Sequence, residues 1–254
     1  MARGLVGAVV IALHDITVAY ERHPAVHHLS GRFEAGSLTA LTGPNGAGKT
    51  SLLKALAGLV RPVAGRIERT APARDQIAYL PQVPEIDRQF PISVLDLALL
   101  GHWRKIGWHR GVDRTLREQA QQALALVGLG GFEPRPIGTL SAGQFQRALF
   151  ARLVLQDAPV LLLDEPFNAL DARTTGDLIA LVESWHRAGR TVIAVLHDLE
   201  QVRRHFPETL LLAREGIDWG PTERVLTPVH LLQAQRMSES WDPHADQCAT
   251  AVPG

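Results

Sequence analysis

Two periodicities alternate along this chain. Val160, Leu161, Leu162 and Leu163 form an unbroken apolar run between Pro159 and Asp164, the pattern of a strand buried on both faces. Residues 191–196 repeat it, residues 209–213 give a last apolar strand, and residues 77–80 a shorter one leading to Gln82. Nearer the start, residues 11–20 and 33–42 have strand character, while Pro62 and Gly65 read as a turn. The other period is helical. Residues 49–57 carry Leu52, Leu53 and Leu56 on one face and stop at Gly58. Residues 113–127 place Leu116, Ala120, Ala123, Leu124 and Val127 at helical spacing ahead of Gly128. Further helices are predicted over 145–155, 174–188 (ended by Gly189), 198–206 and 228–236. Ser93-Val94-Leu95-Asp96 resembles a capping box opening a helix through Leu100.

Strands alternating with helices predict an α/β domain over residues 1–236, with a helical insertion at about 83–155 and a polar tail at 237–254. A length of 254 residues and 46% hydrophobic content allow one sizeable core. Acidic and basic residues balance at 26 each, which gives no electrostatic reason to expect nucleic acid. The single cysteine, Cys248, excludes an internal disulfide and suits a reducing compartment. Met1-Ala2-Arg3 and the uncharged run 4–13 resemble the start of a signal peptide, but no small-residue cleavage pattern follows. The run is also far short of the roughly 20 apolar residues that span a bilayer. The expectation is a soluble protein whose membrane role, if it has one, comes through a partner.

The chemistry concentrates at Gly43-Pro44-Asn45-Gly46-Ala47-Gly48-Lys49-Thr50-Ser51, which fits G-x-x-x-x-G-K-[ST] between a strand and a helix. Glycines let such a loop turn its N–H groups onto phosphate oxygens at the positive end of a helix. Lys49 is expected to reach the β- and γ-phosphates of a nucleoside triphosphate, and the Thr50 hydroxyl to bind Mg²⁺. Asp164 closes a buried strand where a magnesium ion needs an anchor, and Glu165 is placed to act on the attacking water. Leu140-Ser141-Ala142-Gly143-Gln144 precedes a helix, and Ser141 stands 23 residues before Asp164. By itself this is either an anion-binding helix N-terminus or an ordinary cap.

Together these motifs resemble the ATP-binding subunit of ABC transporters over residues 11–236. Gly43–Ser51 matches Walker A, Gln82 the Q-loop, Leu140–Gln144 the signature, and residues 160–166 Walker B. Ala169-Leu170-Asp171 matches the D-loop, His197 the switch histidine, and Tyr20, 23 residues ahead of Gly43, the aromatic that stacks on adenine. The resemblance implies a P-loop NTPase with a RecA-like core, an N-terminal antiparallel β subdomain and an inserted helical subdomain. It implies a head-to-tail homodimer, with ATP between Walker A of one copy and Ser141, Gly143 and Gln144 of the other. Asp171 would work across that interface, His197 would hold the γ-phosphate side, and Gln82 would sense Mg²⁺ and water. Residues 83–108 would lie against a membrane permease, placing the chain on the cytoplasmic face of the bacterial inner membrane. Ala142 stands where glycine is usual and Phe145 where a polar residue is common. Neither change removes Lys49, Glu165 or His197.

Residues 85–96 resemble the stretch after the Q-loop in ATPases of zinc, manganese and iron(II) importers, which are fed by a metal-binding protein at the periplasm or cell surface. Glu165-Pro166-Phe167 followed by Leu170-Asp171-Ala172 points the same way, although Asn168-Ala169 departs from the usual residues. The expected cargo is therefore a divalent metal ion, zinc first. Haem, siderophore or cobalamin import is the runner-up, and a soluble non-transport ABC ATPase the alternative from another class. A P-loop kinase or GTPase has no place for the signature or His197. Asp242, His244, Asp246 and Cys248 are zinc-ligand types, but their spacing is not a known ligand pattern and reads as an ordinary polar tail. His23, His27 and His28 are expected to line a solvated loop near the adenine.

Overall fold

The computed structural model describes residues 9–20, 23–69, 76–82, 87–103, 111–168 and 170–239. Readings that fall on residues 1–8, 83–86, 104–108, Ala169 and 240–254, including Asp242, His244, Asp246 and Cys248, lie outside the described residues. The chain divides into two compact units, one within 1–34, 39–71 and 197–254, the other within 35–38 and 72–196.

In the first unit, strands β1 (Val9–Tyr20), β2 (His23–Glu34) and β4 (Ala64–Arg69) form an antiparallel sheet of order β2-β1-β4. Ile11, Leu13, Ile16, Val18, Val26, Leu29 and Phe33 from β1 and β2 are buried, as an antiparallel sheet with one covered face requires. Strand β3 (Leu38–Thr42), buried at every position, leads into helix α1 (Lys49–Ala57). Gly58 caps α1 with φ of 74°, the left-handed conformation that the predicted stop required. Strand β8 (Glu208–Ala213) pairs parallel with β3, and β9 (Glu215–Pro221) pairs antiparallel with β8.

Three expectations are corrected in this unit. The histidines expected in a loop belong to β2. The His28 Nδ1 lies 2.8 Å from Asp15 and the His27 Nδ1 3.4 Å from Glu215, so their polar side chains face outward from a strand. Gly65 lies inside β4 and not in a turn. A side chain there would collide with the His14 and Asp15 carbonyls of β1, so the glycine serves a close backbone approach. The predicted last strand is followed by β9, Glu215–Pro221, in which only Ile217 and Trp219 alternate with Asp218, too short a pattern among glycines and charged residues to announce it.

In the second unit, β5 (Ile77–Leu80), β6 (Val160–Asp164) and β7 (Thr191–Val195) run parallel in the order β5-β6-β7. Helix α2 (Val94–Leu99) opens with the expected capping box between Ser93 and Asp96. Asp113 caps α3 (Arg114–Leu126), which buries Ala120, Ala123 and Leu124 while its polar face stays exposed. Helix α4 (Ala142–Gln156) starts three residues before the predicted 145, because the small residues after Ser141 already sit in its first turn. Helix α5 (Ala172–Arg187) likewise starts before residue 174, capped by Asp171. The chain then returns to the first unit through α6 (Leu199–His205), α7 (Thr222–Val225) and α8 (Pro228–Glu239). No described helix is long and apolar enough to cross a membrane.

Candidate functional site

The phosphate loop is shaped by backbone constraints. Gly43 leaves β3 with φ of 148°, and a Cβ there would collide with the Leu212 carbonyl of β8. Gly48 takes φ of 89° against the Ala25 carbonyl, so a side chain is excluded there too. Ala47 donates its N–H to Pro44 at 3.2 Å, and its carbonyl accepts the Arg214 N–H at 3.0 Å. Asn45 and Gly46 are exposed at the tip, and Thr50 and Ser51 are half-buried in the first turn of α1. No side chain caps that turn and it carries no acidic residue, so the positive end of its dipole favours an anion. Lys49 is only 6% exposed, and its ammonium donates to the Gly43 and Pro44 carbonyls at 2.8 Å each. A buried cation beside an uncapped helix start fits a polyphosphate. Tyr20 ends β1, and its side chain lies outside the described residues. His197 is exposed, next to Asp198, which caps α6.

In the second unit the carboxylates gather around Gln82. Asp164, fully buried at the end of β6, accepts the Tyr79 hydroxyl at 3.4 Å and the Gln82 Nε2 at 3.5 Å. The Gln82 Nε2 donates more closely, at 2.9 Å, to the Glu165 Oε1. The other oxygen, Oε2, accepts the Asn168 Nδ2 at 3.0 Å. Glu165 has φ of 49°, a left-handed conformation that costs a non-glycine residue about 1–3 kcal/mol and gathers at functional sites. Asn168 was noted in the sequence only as a departure from a pattern. An amide three residues after a carboxylate, within a turn, was the signal that it could reach back.

Ser141 is the N-cap of α4 in a reciprocal box. Its hydroxyl accepts the Gln144 N–H at 3.2 Å, and its own N–H donates to the Gln144 Oε1 at 3.0 Å. The helix start is thus capped within the chain, and its first-turn Gly143 has the side chains of Leu170 and Thr174 nearby. Asp171 accepts the Thr174 N–H at 2.9 Å and the Thr174 hydroxyl at 2.8 Å, and these two bonds, in that order, hold its carboxyl below the ordinary range. Arg147 of α4 donates to the same Thr174 hydroxyl at 3.0 Å and to Asp177 at 3.0 Å. The sequence-predicted residues of this unit therefore fall into two hydrogen-bonded groups, Gln82–Asp164–Glu165 and Ser141–Gln144, with Asp171 tied to α4 through Thr174 and Arg147.

The family described as ABC transporter matches residues 26–168. A probable metal transport system ATP-binding protein of Chlamydia pneumoniae is 39% identical, over 85% of this chain and 85% of its own. A manganese transport system ATP-binding protein, MntB, of Bacillus subtilis is 37% identical over 85% and 88%. A zinc transport system ATP-binding protein, TroB, of Treponema pallidum is 33% identical over 94% and 92%. Among solved structures, a chain assigned to the metal-chelate type of ABC transporter in an inward-facing conformation superposes with a TM-score of 0.80 at 28% identity, covering 90% of this chain and 89% of that one. With a family match over more than half its length and relatives of this identity and coverage, the chain belongs to the ABC transporter family.

Proposed function

We propose that this chain is the ATP-hydrolysing subunit of an importer of a divalent metal ion, zinc in first place, and that two copies work head to tail against a membrane permease. ATP is the substrate. Lys49 and the N–H groups of the loop and α1 bind its phosphates. Ser141, Gly143 and Gln144 of the second copy complete the phosphate contacts, Asp171 works across the pair, and Tyr20 stacks on the adenine. Thr50, Asp164 and Gln82 are the residues that would hold Mg²⁺, which would supply charge neutralisation at the phosphates. The lone buried carboxylate of Asp164 suits an ion that keeps water and phosphate oxygens as its other ligands.

Glu165 takes a proton from water as the water attacks the γ-phosphorus and the bond to ADP breaks. His197 steadies the γ-phosphate. The observation that carries hydrolysis is the Glu165 carboxylate with Gln82 on one oxygen and Asn168 on the other. A carboxylate fixed at both oxygens has one orientation, which a general base needs. The metal cargo is supported by the manganese and zinc systems to which the relatives belong and by residues 85–96, which resemble zinc, manganese and iron(II) importer ATPases alike; zinc is the member of that class to be tested first. The structural likeness to a metal-chelate transporter favours one second reading, the import of a metal held in a chelate. On either reading the chain is peripheral, at the cytoplasmic face of the membrane.

Cellular metal content under metal limitation decides among these. Cells carrying only the Lys49→Ala form are expected to lose zinc selectively relative to wild type. A fall in manganese or iron instead moves the cargo within the divalent class. Unchanged free-metal uptake with lost chelate uptake selects the second reading.

A further inference from the structure

The segment after the Q-loop is stitched to the stretch that leads into Ser141. Ile137 donates its N–H to the Ile92 carbonyl at 3.1 Å, Val94 to Arg135 at 2.9 Å and Leu95 to Glu133 at 3.0 Å, and Ser93 pairs with Pro136 as an antiparallel bridge. At Gly138 a Cβ would stand 3.0 Å from the Arg88 carbonyl, so the two backbones run close together there as well.

Arg88 completes this stitching with its side chain. Its Nη2 donates to the Leu140 carbonyl, and its guanidinium lies 5.0 Å from the centroid of the Phe145 ring. The Leu140 carbonyl belongs to the same peptide unit as the Ser141 N–H, and that N–H donates to Gln144. The plane of this one peptide is therefore held on both edges, by a cation on its oxygen side and by the capping box on its nitrogen side. Ser141 is anchored by that plane, so the direction of its hydroxyl depends on it. Phe145, fully buried at the fourth position of α4, gives the guanidinium an aromatic face to lie on. This accounts for the aromatic residue where a polar one is common.

We propose that Arg88 is a positioning residue: it fixes the Leu140–Ser141 peptide, and so the Ser141 hydroxyl that meets the ATP of a second copy, to the location of residues 87–95. The inference rests on the head-to-tail reading above. Phe90, two residues from Arg88, is 59% exposed, and a partner that shifts this segment moves the signature with it. Lysine is a poor substitute, because one ammonium cannot both lie flat on the ring and bind the carbonyl with planar geometry.

The test uses the full chain in a Glu165→Gln background, where slow hydrolysis lets an ATP-bound dimer accumulate. Light scattering across an ATP titration gives the concentration for half-dimerisation. A fluorescent ATP analogue at high dilution gives single-chain binding, and a melt without nucleotide gives folding. Arg88→Ala is expected to raise the half-dimerisation concentration about tenfold, the scale of one charged hydrogen bond. Single-chain binding and the melt should stay as in the parent. If Arg88→Ala does not fold, Arg88→Lys decides, with the same split at smaller size. An unchanged ATP titration overturns the proposal, and so does a loss matched by equal losses in single-chain binding and in the melt. A parent that never dimerises with ATP overturns the head-to-tail reading itself, and this inference with it.

Discussion

In the phosphate loop the polar contacts described above are accepted or made by the backbone: carbonyls of Gly43 and Pro44 for Lys49, and peptide groups joining Ala47 to Pro44 and Arg214. In the Gln82–Glu165–Asn168 cluster the contacts run between side chains from segments 83 residues apart and from a turn of four. The loop's shape is thus written in glycines, which permit conformations that other residues resist. The cluster's shape is written in which amide finds which carboxylate oxygen, and that depends on tertiary placement. A backbone-built site tolerates few residue types at a few positions. A side-chain-built site tolerates more, with graded losses.

Four substitutions sharpen this contrast. The largest effect is expected for Glu165→Gln, which removes the proton acceptor and should lower steady-state ATP turnover by on the order of 10²–10⁴ while nucleotide binding persists. Turnover at the wild-type rate would reassign the base. Gly43→Ala comes next. It collides with the Leu212 carbonyl at a φ of 148°, so nucleotide affinity and the urea midpoint should both fall. Gly46→Ala, with φ of 77° but open space around it, should cost only the left-handed strain, roughly 1–2 kcal/mol. Equal losses at the two glycines would show that loop shape is not set by β8. A smaller effect is expected for Asn168→Ala. It frees one carboxylate oxygen, about 1 kcal/mol and so roughly fivefold in kcat, with KM for ATP held. A change confined to KM would place Asn168 in binding instead.

The smallest effect belongs to Asp171→Ala, read as a modest drop in thermal midpoint at neutral pH. The Thr174 bonds lower the folded-state pKa of Asp171, so its charged form stabilises the fold above the ordinary carboxylate pKa. That contribution is lost as pH falls through the lowered folded value. Parent and variant melts should therefore differ constantly from pH 7 to 5 and converge on further acidification. A difference that widens in acid would refute the cap's ionic character.

Much of this fold could be read from the sequence, for reasons that differ by element. Strand β6 was legible because four apolar residues between a proline and an aspartate have few other uses. Helix α3 was legible because its buried positions recur at helical spacing behind an aspartate cap. Strands β2 and β9 were not, since histidines, glycines and charged residues dominate their exposed positions and pairing with β1 and β8 supplies what the residues lack. Gly65 misled because glycine marks a turn and a close backbone approach equally well.

The sequence by itself determined the phosphate loop, the position of the acidic pair after β6, and the family to which the chain belongs. These are contiguous patterns whose physics is local: glycine dihedrals, helix caps and strand burial. Only the tertiary structure decided that Asn168 shares Glu165 with Gln82, that Arg147 joins α4 to the Asp171 cap, and that Arg88 grips the peptide before Ser141. Each of these bonds joins groups by side-chain reach, and spacing along a chain does not encode that reach until the strands and helices have been placed.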